Sequence, residues 1–164
     1  MKIYIKNKII SMGGSSTAKN EKGEDIFFIK GKWVLFSPTR KKKIYDKNKN
    51  LLYIVRNKWW NFIHHRAFIY DSNKEKIATL RREIFSNKTQ FILEGYKDEI
   101  SLDGNFFAWD LQVKKGNEII GTIKRNFDLL RGSFELEADE ENIAFLTSIV
   151  IAIDNIYDKA GSNH

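Results

Sequence analysis

Few residues in this chain have the types and spacing that catalysis requires. The histidines are His64, His65 and His164. Neighbouring residues on a strand point to opposite faces, so His64 and His65 do not chelate one metal ion together. The sequence holds no HExxH and no GxSxG motif, and it has no cysteine to serve as a nucleophile or thiolate ligand. We therefore predict that the protein is not an enzyme and has no catalytic residue, metal site or cofactor.

Two other segments have residue types that bind ions, and both have a simpler explanation. The segment Gly13–Ser16 resembles a phosphate-cradling loop in composition, but GxxxxGKS/T is absent, so a flexible turn is the preferred interpretation. The carboxylates of Asp139, Glu140 and Glu141 are adjacent in sequence. Acidic side chains are favoured at the positive end of a helix, so this cluster predicts a helix start rather than a metal site.

Positive charge beside tryptophan is the strongest functional signal. The formal net charge is +7, and residues 1–66 carry 16 basic against 4 acidic side chains. Cations next to tryptophan suit the headgroup layer of an anionic membrane, where each cation contributes about 1 kcal/mol. The aromatic residue expected at the membrane rim is Trp60. The cations predicted to form the binding face are Arg40, Lys41, Lys42, Lys43, Arg56 and Lys58.

Three other interpretations of this basic segment stay open. It could be a solvated surface with the tryptophans in the core, a protein-binding surface, or a nucleic-acid site in which aromatic rings stack on bases. The stretch Lys30–Phe36 is faintly similar to an RNP1 strand. However, Lys32 stands where a stacking aromatic is needed, and no βαββαβ pattern surrounds it. Nucleic acid is therefore a weaker expectation than lipid.

The elements that position these residues are predicted to be short strands. The 164 residues are the size of one domain, which we expect to span residues 1–164. Turn signals recur every 8–15 residues, and the stretches between them are rich in β-branched and aromatic residues. This spacing is typical of an all-β sandwich or barrel.

A degenerate unit repeats four times, and we interpret each unit as a hairpin tip followed by a strand into the core. The units begin at Asn20, Asp46, Asp71 and Lys114. The residues six positions after these starts are Ile26, Leu52, Ile77 and Ile120. The residues nine positions after them are Ile29, Val55, Leu80 and Ile123. Positions six and nine have opposite parity on a strand, so a bulge or burial on both faces is needed.

The C-terminal segment has a different pattern. Asp139 can cap a helix, and the apolar residues from Ile143 to Tyr157 would cover every side of it. A helix that is apolar all round must be enclosed, and a barrel wide enough to hold it needs about eleven or twelve strands. We predict this helix near residues 141–157. Because the segment is rich in β-branched residues, two buried strands are the alternative.

No targeting or membrane-spanning segment is predicted. Lysines interrupt the apolar residues at the N-terminus, so there is no signal-peptide core. The longest apolar run, Ile143–Ile153, would cover only about 16 Å as a helix against a hydrocarbon core of about 30 Å. We therefore expect a cytoplasmic protein without a transmembrane segment.

Four features together resemble the LURP-one-related family of the tubby C-terminal-like superfamily. They are the opening Met1–Ile5, the stretch Gly23–Ile29, the recurring hairpin units and the ending Ala138–Asp154. The resemblance implies a barrel of about twelve antiparallel strands around a hydrophobic C-terminal helix. Relatives with this architecture include phosphoinositide-binding tubby-type proteins and phospholipid scramblases.

The resemblance has limits that shape the functional expectation. The chain has one proline and no cysteine, unlike scramblases with their proline-rich region and cysteine cluster, so scramblase activity is not inferred. No headgroup motif matches residue by residue. We therefore predict a non-catalytic binding or regulatory barrel that contacts anionic phospholipid at the inner membrane surface. The alternative is a nucleic-acid-binding or protein-interaction scaffold with no lipid ligand.

Overall fold

Short apolar strands separated by turn residues pair with their neighbours in sequence. The protein is known from a computed structural model, which describes residues 1–6, 15–34, 37–57, 66–85, 88–106, 109–126 and 133–160. In these ranges the chain forms twelve strands and one helix. The strands are β1 (Lys2–Lys6), β2 (Ser15–Asn20), β3 (Asp25–Val34), β4 (Ser37–Asp46), β5 (Leu51–Asn57), β6 (Arg66–Tyr70), β7 (Lys76–Phe85), β8 (Lys88–Glu94), β9 (Ile100–Asn105), β10 (Asp110–Lys115), β11 (Glu118–Asn126) and β12 (Ser133–Ala138).

The strands form one closed antiparallel barrel, as the sequence predicts. Each strand pairs with the strands before and after it, and β1 pairs with β12 to close the sheet. In that closing pair Ile3 lies opposite Leu136 and Ile5 opposite Phe134, and all four side chains are buried. The Met1 ammonium donates a hydrogen bond to the Ala138 carbonyl at 2.6 Å. The barrel is therefore sealed by both apolar contacts and hydrogen bonds.

A bulge at the start of each repeated unit accounts for the change of parity. In the β2–β3 pair, Ala18 lies opposite Phe27 and Lys19 opposite Asp25, so one residue is left unpaired. The same register shift occurs in β4–β5, β6–β7 and β10–β11. The skipped residues are Ile26, Leu52, Ile77 and Ile120. Each belongs to the core or packs against it. The apolar residue at position six is thus the extra residue of a bulge.

Three of the hairpin tips have the same hydrogen-bond pattern. The first residue of each tip accepts a hydrogen bond at its side-chain oxygen from the backbone N–H four residues later, at 2.8–2.9 Å. These acceptors are Asn20, Asp46 and Asp71. Each of the three tips also has a residue with positive φ three positions on, and only in the first tip is that residue a glycine, Gly23. Three of the four predicted unit starts are therefore turns that set the strand register, and the fourth, Lys114, lies at the end of β10.

Helix α1 (Glu140–Ala160) runs through the inside of the barrel. The Asp139 carbonyl accepts hydrogen bonds from the backbone N–H groups of Asn142 and Ile143 at 3.1 and 3.0 Å. Side chains around the whole helix, among them Leu146 and Val150, are at most 1% exposed. The helix packs most closely against β5, β6 and β12. The prediction of an enclosed helix is confirmed, and the alternative of two buried strands is wrong.

Candidate functional site

Basic and acidic residues are unevenly distributed among the strands of the barrel. Residues 26–70, which include β4, β5, β6 and most of β3, carry eleven basic side chains and one acidic side chain, Asp46. In its hairpin tip, the Asp46 carboxylate accepts hydrogen bonds from Asn48 and Asn50. On the opposite side of the barrel, lysines pair with carboxylates. These ion pairs are Lys2–Glu135 at 3.0 Å, Lys114–Asp103 at 2.9 Å and Lys115–Asp98 at 3.2 Å.

Strand register brings four cations together on the β3–β5 wall. Lys41 on β4 lies directly opposite Arg56 on β5, and Lys43 lies opposite Lys30 on β3. Paired residues of antiparallel strands point to the same side of the sheet, and here that side is solvent. We call Lys30, Lys41, Lys43 and Arg56 the outer basic face. Within the described part of the chain, neither Lys43 nor Arg56 has a carboxylate within ion-pairing distance.

Lys42 does not belong to this face. Its side chain points into the barrel beside Val55 and is 4% exposed. The next inward residue on β4 is Ile44, which is fully buried. The cause is the alternation of side chains along a strand, which cannot place three consecutive lysines on one surface. Of the other predicted residues, the Arg40 side chain, Lys58 and Trp60 lie outside the described residues.

Apolar and aromatic groups lie among the cations of the face. Ile54 is 3% exposed although it points outward, and its cross-strand neighbours are Lys43 and Tyr70. Ile54 thus lies in a cross-strand row between a lysine and a tyrosine, two side chains that can cover an apolar neighbour with their apolar parts. The Lys30 Nζ atom lies 5.4 Å from the centroid of the Tyr45 ring. The face thus combines positive charge with amphipathic side chains.

A groove adjoins the outer basic face at the end of the barrel opposite the helix start. It has a volume of about 340 Å³ and lies where β1 ends and β2 begins. It is lined by Lys6, Ser15, Ser16, Thr17, Phe28 and Lys30. Lys30 therefore belongs to both the groove and the outer basic face. Sequence reasoning missed Lys6 and Lys30 as site residues, because only the pairing of distant strands brings them to this position.

The groups with shifted pKa values occupy structural positions. Burial raises the pKa of Tyr53 and of Tyr96, and the rings of both lie against Phe145 near the start of the helix. A hydrogen bond from the Asn50 side chain lowers the pKa of Asp46. Among the described residues, no group of three or more histidines and carboxylates could hold a metal ion. In the same part of the chain, no helix is long and apolar enough to cross a membrane.

The barrel around a buried C-terminal helix defines the architectural class, and comparison with known sequences gives the family. Residues 1–154 match the LURP-one-related (LOR) family, and the chain belongs to it. No curated protein sequence matches the chain significantly.

A solved structure from Arabidopsis thaliana has the same fold. The X-ray structure of that plant protein superposes with a TM-score of 0.62, covering 95% of this chain and 91% of the plant chain. The two sequences are 16% identical. At that identity the similarity concerns the fold, and the outer basic face has to be interpreted from the residues of this chain alone.

Proposed function

We propose that the protein is a non-catalytic binding barrel whose outer basic face contacts the headgroups of anionic phospholipids. The observation that carries the proposal is the pair of like-charged cross-strand contacts, Lys41 with Arg56 and Lys30 with Lys43. Like charges placed directly opposite each other destabilise a sheet. Because neither Lys43 nor Arg56 has a carboxylate partner among the described residues, a surface with two such pairs side by side is suited to a polyanionic partner.

The composition of the face favours a membrane over a nucleic acid. Stacking on bases needs open aromatic rings in a groove. Here the described rings of Tyr45 and Phe68 lie beside lysine ammonium groups, at 5.4 Å for Lys30 and 5.7 Å for Lys76. Amphipathic side chains with an apolar body and a charged or polar end suit the interfacial layer of a bilayer. The expected place of action is the cytoplasmic surface of a membrane.

The expected affinity of the face alone is low. Four cations that each contribute about 1 kcal/mol at an anionic surface give roughly 4 kcal/mol, which corresponds to a dissociation constant of about 1 mM. Stable attachment therefore needs a further contact. Trp60, predicted from sequence to lie at the rim of the face, is one source of such a contact.

The test is sedimentation with liposomes at 0.15 M salt. Vesicles of phosphatidylcholine alone, with phosphatidylserine and with a phosphoinositide are compared, each with and without single-stranded DNA. The face variant replaces Lys41, Lys43 and Arg56 with alanine. The control variant replaces three exposed cations elsewhere and removes the same charge: Lys22, Lys97 and Lys124.

The proposal expects binding to anionic vesicles that survives DNA competition and is lost only in the face variant. If both variants lost vesicle binding equally, the binding would be a diffuse electrostatic attraction between a basic protein and an anionic surface, which salt screens. Displacement by DNA would favour the nucleic-acid alternative. No binding to any vesicle would leave a protein-interaction scaffold.

A further inference from the structure

The lysines of the first three strands differ in their partners according to the end of the barrel where they lie. Near the hairpin tip and the helix start, Lys2 pairs with Glu135 and Lys19 pairs with Asp25, each at 3.0 Å.

At the other end of the same strands, Lys6 and Lys30 line the groove. Among the described residues, neither has a carboxylate within ion-pairing distance. None of the described residues that line the groove is acidic. In the described part of the chain, the groove thus brings together two cations that have no carboxylate partner, whereas Lys2 and Lys19 on the neighbouring strands are paired.

The hydroxyl groups of the groove differ in their availability. The Ser16 hydroxyl donates a hydrogen bond to the Thr17 carbonyl at 3.3 Å. The Thr17 hydroxyl is engaged with the Asp25 carboxylate. The pKa of Asp25 is lowered mainly by its hydrogen bond with Lys19 and to a smaller extent by the one with Thr17. Ser15 is exposed and has no hydrogen bond from its side chain within the described part of the chain. The described groove residues that can donate to a bound group are therefore Lys6, Lys30 and Ser15. The Lys30 Nζ atom lies 5.4 Å from the centroid of the Tyr45 ring and, among the described residues, has no carboxylate to leave when it turns to an anion in the groove.

This donor set matches one chemical group better than others. A phosphate monoester carries about −1.5 to −2 charges at neutral pH and offers three strong acceptor oxygens. Two ammonium groups balance that charge, and the hydroxyl supplies a third donor. A carboxylate has half the charge and would leave one lysine without a counter-charge. The volume of about 340 Å³ is at the lower end of the range of about 300–1,000 Å³ that is usual for small-molecule sites.

The geometry points to a binding site for a phosphate monoester in this groove, held by Lys6, Lys30 and Ser15. The inference rests on the proposed function, because Lys30 belongs to both the groove and the outer basic face. It adds the specific contact that the outer basic face lacks. The monoester can come from a phosphorylated inositol headgroup in a membrane or from a soluble phosphorylated molecule, and the two sources are separated by experiment.

The experiment is isothermal titration calorimetry of the full chain with inositol 1,4,5-trisphosphate at 0.15 M salt. Lys6→Ala is expected to weaken binding about tenfold or more, because it removes a charge-assisted hydrogen bond. Ser15→Ala is expected to weaken it about fivefold. The matched control is Lys22→Ala, which removes the same charge from the exposed tip of the β2–β3 hairpin. Since Lys6, Ser15 and Lys22 are exposed, circular dichroism should show all three variants folded.

A pH series gives a second readout. The second ionisation of a phosphate monoester lies near pH 6. Affinity should therefore fall between pH 7.5 and pH 5.5. Unchanged affinity across this range would contradict recognition of the dianion.

The same variants separate this inference from the proposed function. Binding of the soluble probe that depends on Lys6, without sedimentation on phosphoinositide vesicles, would support the groove and overturn the membrane contact. Vesicle binding that is lost in the face variant but unchanged in Lys6→Ala, with no heat from the soluble probe, would overturn the groove alone. Equal affinity for the soluble probe in the wild type and Lys6→Ala would also overturn it.

Discussion

Lys41 and Arg56 lie directly opposite each other on β4 and β5, so two positive charges share one cross-strand position on the barrel wall. Side chains at such positions have Cβ atoms about 4.5–5.5 Å apart. Like charges directly opposite each other destabilise a sheet as a general rule. The arrangement links stability to the proposed function, because a change that relieves the repulsion also removes positive charge from the outer basic face.

Arg56→Glu should therefore stabilise the protein and weaken vesicle binding at the same time. An opposite-charge cross-strand pair contributes about 0.2–1 kcal/mol, and the repulsion is removed as well. Urea denaturation should show a higher midpoint with an unchanged slope. The neutral control Arg56→Gln should fall between the wild type and Arg56→Glu. A lower midpoint for Arg56→Glu than for Arg56→Gln would contradict the assigned register.

The apolar packing of the enclosed helix should not tolerate a charge at Val150. Val150 is 1% exposed and belongs to the core inside the barrel. Val150→Asp would bury an unpaired carboxylate at a cost of several kcal/mol, so we expect loss of the cooperative unfolding transition. The control Asn142→Asp lies in the first turn of α1, where the side chain is half-buried, and should unfold like the wild type. A folded Val150→Asp protein would show that the helix is not enclosed.

Close packing between β11 and the helix predicts a third effect. A Cβ atom at Gly121 would collide with the Leu146 side chain and with the Glu137 carbonyl oxygen. Gly121→Ala should therefore destabilise the barrel by about 1–3 kcal/mol, as overpacking of a core does. The neighbouring control Thr122→Ala is half-buried and has no such restriction. Thermal unfolding of the two variants checks the difference, and equal midpoints would contradict the packing of α1 against β11.

The hydrogen bonds of the Asp46 turn predict how the stability of the protein changes at acid pH. The hydrogen bond from the Asn50 side chain, with further bonds from backbone N–H groups, lowers the pKa of Asp46 below its usual range. A lowered folded-state pKa gives stability that is present above the unfolded pKa of about 3.9 and is lost as the pH falls through the folded value. Asp46→Asn should keep the turn, because Asn20 forms the equivalent turn in the first hairpin.

The measurement is the free energy of unfolding from pH 6 to pH 2 for the wild type and Asp46→Asn. The wild type should lose more stability than the variant over the acid part of this range. Parallel curves would show that the Asp46 carboxylate has the same pKa in the folded and unfolded protein.

Much of the fold could be predicted because local patterns agree with the final architecture. The four unit starts are the tips or strand ends where the chain reverses, and the all-round apolar segment is the enclosed helix. The conflicting parity of Ile26 and Ile29 already required a bulge or two-sided burial. The structure shows the bulge, because Ile26 is the residue skipped in the β2–β3 register.

The candidate site was less predictable because it depends on pairing between strands. A run of three lysines on one strand must alternate, so the inward position of Lys42 could have been inferred from its parity with Ile44. The position of Lys30 in the outer basic face could not have been inferred from the sequence, because it depends on the register of β3 with β4. Lys6 joins the groove only because β1 lies beside β2 in the closed sheet.

Site-specific fluorescence tests the central claim most directly. The chain has no cysteine, so one introduced cysteine carries a single environment-sensitive label. Thr79→Cys places it on β7, two strands beyond Arg56 at the edge of the outer basic face, in the same cross-strand row as Arg56 and Phe68. Gln112→Cys places it on the exposed surface of β10, on the other side of the barrel. On adding phosphatidylserine vesicles, we expect a blue shift and shielding from a soluble quencher at position 79 and no change at position 112. Shielding at position 112 alone, or at neither position while the protein sediments with the vesicles, would contradict membrane contact through the outer basic face.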